Sequence, residues 1–168
     1  MYGYNSGQEK IVLKNASSNL GVNELLKSIK RLGSKNSVIQ VFDNRSILSR
    51  SHLVGAYVNT LIAFKNKTNR TKSRDMEMLL FAAFTDQIGK AIETVGIKNT
   101  SKFIIFCNDP KLLNRIKKFA KIGSNFDPSF SEMNRAAKIL KLQIIGKDQK
   151  QLELKVLERM ALSRLATN

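Results

Sequence analysis

Catalysis requires groups that can be brought together, and this sequence holds few of them. His52 is its single histidine and Cys107 its single cysteine, so a histidine pair for zinc, an HExxH helix and an internal disulfide are all excluded. Neither a GxxxxGK phosphate loop nor a GxSxG elbow occurs. A serine, a histidine and a carboxylate can meet by folding whatever their order, but nothing local points to such a triad. His52 reads first as a polar residue in the first turn of a helix and only second as a catalytic base. Cys107 lies in the apolar run FIIFC, where a small inert residue fits. Asp75, Glu77 and Asp86 read as a helix start and a solvated position rather than a catalytic pair. The expectation is a protein that is not an enzyme and has no metal site and no cofactor.

What the sequence does hold is positive charge. Twenty-nine Lys and Arg against 13 Asp and Glu give a net charge of +16 and a pI near 10.2. Such an excess repels itself unless a polyanion is close, so nucleic acid is the expected partner and an anionic membrane surface the second choice. The cations cluster. Lys65, Lys67, Arg70, Lys72 and Arg74 fall in a basic stretch, and Lys111, Arg115, Lys117, Lys118 and Lys121 form a second group. Neither is interleaved with repeated aromatic residues, so phosphate contact is expected rather than base stacking.

The elements that must position these groups follow from periodicity. With 168 residues, 42% of them hydrophobic, the chain suits one α/β domain over residues 1–168, a mixed sheet of short strands packed with several helices. Its longest apolar run, Met78 to Phe84, is too short to span a membrane, and the first residues lack the pattern of a secretory signal, so a cytoplasmic protein is expected. Strands are predicted at 9–15, 37–43, 101–108 and 142–146. Helices are predicted at 22–32, from Ser49 or Ser51 to 65, at 73–95, from 110 to about 121, from Asp127 and Pro128 to about 140, and at 149–165.

The helix predicted over 73–95 has more apolar surface than one core-facing stripe. Leu80, Phe84, Ile88, Ala91, Ile92 and Val95 trace one face, while Met76, Met78, Leu79, Phe81, Ala82 and Ala83 cover much of the rest. Periodicity alone favours a helix central in its own domain; the other reading is a face that meets another protein. The final helix poses the same question, with Leu154, Leu157, Ala161 and Leu165 on one line and Leu152, Val156 and Met160 on another.

The order VIQVFD, SRSHLVGAYVNTLIAF, DMEMLLFAAFTDQIGKAIETVGI and KFIIFCND resembles the PRPK-binding subunit (TPRKB) family of the KEOPS tRNA-modification complex. The matching positions are His52 and Leu53, Glu77, 79–81, Gln87 and Ile88, Ala91 and Ile92, and Gly96 and Ile97; the closing LKVLERMALSRL is similar as well. The resemblance is good over 37–108 and extends to 150–166, and the heavy basic charge departs from the pattern. It implies a mixed α/β fold and a non-catalytic protein that binds the small atypical kinase of KEOPS and assists threonylcarbamoyladenosine formation on tRNA, with contact to the tRNA 3′ CCA end. It also favours the partner-facing reading of the surplus apolar residues, with Ile88, Ile92, Val95, Leu157 and Met160 as kinase-contact candidates. The tRNA candidates are Lys65, Lys67, Arg70, Lys72 and Arg74, then Lys111, Arg115, Lys117 and Lys118. No membrane or small-molecule partner is expected. The rival readings are a generic basic RNA-binding protein and, behind it, a small enzyme whose site assembles only in three dimensions.

Overall fold

The computed structural model of the protein describes residues 10–34, 37–143 and 148–165. In chain order the elements are β1 (Val12–Ser17), α1 (Val22–Lys30), β2 (Ile39–Asp43), α2 (Arg50–Lys65), α3 (Arg74–Ala82), α4 (Ile88–Val95), β3 (Phe103–Cys107), α5 (Lys111–Ile116), β4 (Lys121–Asn125), α6 (Phe130–Ile139) and α7 (Gln149–Leu165). The sheet runs β2-β3-β1-β4, and each neighbouring pair is antiparallel. The α/β class is as expected, but the sheet is not mixed. The reason lies in the connections: α1 joins β1 to β2 across β3, and α5 joins β3 to β4 across β1. Each crossover therefore skips one antiparallel strand, the split βαβ arrangement.

β3 explains why FIIFC carries no alternation. Both of its faces are covered, and every residue of it is buried. Ile104 and Phe106 face a core shared with α2, α3, α6 and α7, while Phe103, Ile105 and Cys107 face a second core under α1 and α5. Polar groups inside are paired. Asn108 donates to the Tyr57 hydroxyl at 3.0 Å and accepts from Val38 N at 2.8 Å, and the Tyr57 ring lies 5.1 Å from Phe106.

The helix expected over 73–95 is two helices. α3 ends in a Schellman motif, with Phe84 N donating to Phe81 O, Thr85 N donating to Leu80 O, and Phe84 left-handed at φ 54°. The usual glycine is absent. The Phe84 ring instead stacks on His52 at 5.4 Å, a tertiary contact that offsets the ~1 kcal/mol cost of a left-handed side chain. α2 and α6 end in the same way at Lys67 and Lys141. Glycine is required at Gly96 for another reason: beside its bridge to Phe42, a Cβ would lie 2.5 Å from Ile92 O.

Two further expectations are corrected. α5 stops at Ile116 instead of reaching Lys121, and residues 121–125 form edge strand β4. Gly123 and Ser124 are weak helix formers, and β1 offers a free edge that they fill, with Asn15 Nδ2 donating to Ser124 Oγ and Asn125 O at 3.2 Å. α6 is capped by Ser129, whose capping box with Glu132 starts the helix after Pro128. The strand predicted at 142–146 lies largely outside the described residues. No helix among the described residues is long and apolar enough to cross a membrane.

Candidate nucleic-acid and protein interfaces

The residues with chemical potential are used structurally. Ser49 caps α2 by accepting from His52 N, and His52 is buried, its Nδ1 accepting from Leu48 N and its Nε2 donating to Ala82 O at 2.9 Å. Burial pushes its pKa down to about 4 against the rise due to the Ala82 carbonyl, so the imidazole is neutral and joins the start of α2 to the end of α3. Burial likewise pushes the Cys107 thiol up to about 11, which leaves it a poor nucleophile. Glu77, expected at an open helix start, is fully buried. Among the described residues no cluster of three or more metal-ligating side chains occurs.

The first basic group runs from the last residue of α2, Lys65, through the loop to the first residue of α3, Arg74. Lys65, Lys67, Arg70 and Lys72 are exposed; Arg74 is half-buried, its guanidinium 5.7 Å from the centre of the Phe64 ring. The loop is tied down at both ends. Thr68 N donates to Ala63 O in the Schellman turn at its start, and Gln40 Nε2 donates to Asp75 O just past its end. No acid projects from within it.

The second group is elsewhere. Lys111, Arg115, Lys117 and Lys118 are exposed on α5 and the turn after it, over the opposite face of the sheet. The first group lies beside edge strand β2, whereas α5 leads into edge strand β4, so the structure does not merge the two groups into one patch. The second group instead shares its face with Lys27, Lys30 and Arg31 of α1 and its end. A cleft of about 690 Å³ lined by residues 17–20 and 117–122 opens beside it.

The apolar candidates divide by depth. Ile88 and Ile92 are 46% and 50% exposed on α4, while Val95 is fully buried; Leu157 is 39% exposed on α7, while Met160 is fully buried. Val95 and Met160 are therefore core residues, not surface offered to a partner. The two lines on α7 separate cleanly: Leu152, Val156 and Met160 pack inward, while Leu154, Leu157 and Ala161 face out. α3 is covered by α2, α4 and α7, which accounts for its all-round apolar sequence within the domain.

Exposed apolar side chains also gather where α2 and α7 pack together. Ser51 donates to Glu153, Asn59 Nδ2 lies 3.4 Å from Met160 Sδ, and the missing side chain of Gly55 leaves room for Leu157. Val58 and Ile62 follow Gly55 on its outward flank, and Leu154 precedes Leu157, so four exposed apolar side chains border one seam. Val54, Val58 and Ile62 stand at helical spacing and read as a widening of the core-facing stripe of α2, yet Val58 and Ile62 are exposed. The same criterion applied to 73–95, too many apolar residues for one face, would have exposed them.

A family model described as kinase binding protein CGI-121 matches residues 14–167. No curated protein matches the sequence significantly.

Proposed function

Because the chain belongs to the CGI-121 family of kinase-binding proteins, we propose that it is a non-catalytic KEOPS subunit that docks the complex's small atypical kinase on the α2/α7 seam and presents the 66–73 loop to tRNA for threonylcarbamoyladenosine formation. The observation that carries the reading is α2 itself. Its outward face offers Val58 and Ile62, and within one further turn Lys65 begins the basic loop. A partner seated on the seam leaves those cations at its rim, where a polyanion bound by the same complex reaches them. The buried state of His52 and Cys107 supports the non-catalytic part, since neither is accessible to a substrate. Contact with the tRNA 3′ CCA end belongs to the same proposal and adds base recognition to phosphate attraction.

The test is co-purification with the KEOPS kinase after nuclease treatment. Retention of the kinase without RNA supports a protein-docked subunit, and loss of the kinase with the RNA supports a generic RNA-binding protein instead.

A further inference from the structure

We propose that Glu77 is the positioning residue of the basic loop and sets its RNA affinity without touching RNA, an inference that rests on reading the loop as the tRNA contact. Glu77 stands in the first turn of α3, fully buried. Its Oε2 accepts from two successive loop amides, Arg70 N at 3.0 Å and Thr71 N at 2.9 Å, and the Thr71 hydroxyl lies 2.9 Å away. Asn69 Nδ2 donates to Thr71 O at 2.9 Å, closing the same turn. Thr71 is buried, while Arg70 and Lys72 on either side of it are exposed. The carboxylate thus draws the middle of the loop inward and leaves its neighbouring cations pointing out.

An acid placed under five cations is an odd choice for a phosphate-binding loop on charge alone, because it subtracts from the local potential. It makes sense as an anchor. Two adjacent N–H donors on one oxygen fix the peptide between Arg70 and Thr71, so the cations need not be ordered when RNA arrives. Charge and anchoring therefore predict opposite signs for Glu77→Met, which fills a similar volume with no oxygen to accept. Removing a formal negative charge should tighten binding, whereas removing the accepting oxygen should leave both amides without their partner, loosen the loop and weaken binding.

The experiment measures tRNA affinity over a salt series for the parent, Glu77→Met and Thr71→Val, with hydrogen exchange at the amides of Arg70 and Thr71. The expected result for Glu77→Met is ~10-fold weaker binding, a shallower salt slope because fewer phosphates are met together, and faster exchange at both amides. A merely structural role lowers the fraction of active protein but leaves the slope unchanged. Parental or tighter binding with an unchanged slope overturns the proposal. Should Glu77→Met lose its cooperative melt, Thr71→Val, which keeps the carboxylate, carries the test: a smaller loss in the same direction supports it, and parental affinity and slope overturn it. Changing Arg70 and Arg74 together to Glu checks the underlying reading separately. Parental tRNA binding by that variant removes the loop from RNA contact, and the affinity claim falls with it whatever the amides do.

Discussion

Replacing Ile62 with Glu should abolish kinase retention while leaving the protein folded. Ile62 is 49% exposed. Roughly 70 Å² of its apolar side chain therefore faces water, and covering that area in an interface is worth ~2 kcal/mol. A glutamate there loses this gain and adds ~1–3 kcal/mol for a carboxylate desolvated without a partner. The sum is ~3 kcal/mol or more, a ~100-fold or larger rise in Kd. The cost to folding should stay near ~1 kcal/mol, or ~3 °C in Tm for a chain of this size, because half of the side chain is already in water. Melting curves establish the fold, and titration of nuclease-treated protein with the kinase gives Kd. Leu154→Glu should behave alike, since Leu154 is 57% exposed on the other side of the seam. Met160→Glu is uninformative about binding: Met160 is fully buried, and a charge there should cost more than ~4 kcal/mol and unfold the domain. If Ile62→Glu and Leu154→Glu melt as expected yet bind kinase like the parent, the seam is not the docking surface. Ile92→Glu, on α4, would then report on the other exposed apolar pair.

Three other outcomes are expected. His52 is neutral in the fold with a pKa of about 4, against ~6.5 unfolded, so the unfolded chain takes up a proton that the native one refuses as pH falls from 6.5 to 4. Stability should drop by ~1.4 kcal/mol per pH unit across that window, ~3 kcal/mol in all; urea titrations should show a flatter profile for His52→Gln, and equal profiles would refute the assignment. Lys67 is left-handed at φ 58° and exposed, so Lys67→Gly should raise stability by ~0.5–1 kcal/mol in denaturant titration while weakening tRNA binding by the loss of one cation. For the parent, tRNA affinity should fall with salt with a log-log slope of up to about −0.7 per contact on single strands, and trimming the CCA end should weaken binding beyond the loss of a few charges; equal binding of the intact and trimmed tRNAs would remove the tail contact.

Much of the fold was legible because its signals are local. α2, with Ser49 as its cap, α7 over 149–165 and the buried strand β3 follow from patterns read within one segment. The clustering of cations at 65–74 and 111–121 was likewise plain, and the resemblance carried in the 37–108 motifs agrees with the family match over 14–167. The depth of each candidate was not legible. Val95 and Ile92, or Met160 and Leu157, are three residues apart on apolar helices, and which of each pair is core depends on where the next helix lies.

By itself, the sequence determined the elements held by short-range patterning, the excess of charge and the scarcity of catalytic groups. Tertiary structure alone decided three things. It broke the helix at Phe84, because the left-handed turn there is offset by a ring 32 positions away at His52. It made residues 121–125 a strand, because β1 had an edge to fill more than 100 residues upstream. It sent the two basic groups to different faces of the sheet and turned Glu77 inward beneath one of them, because pairing order and burial depend on contacts between distant segments, which no local periodicity encodes.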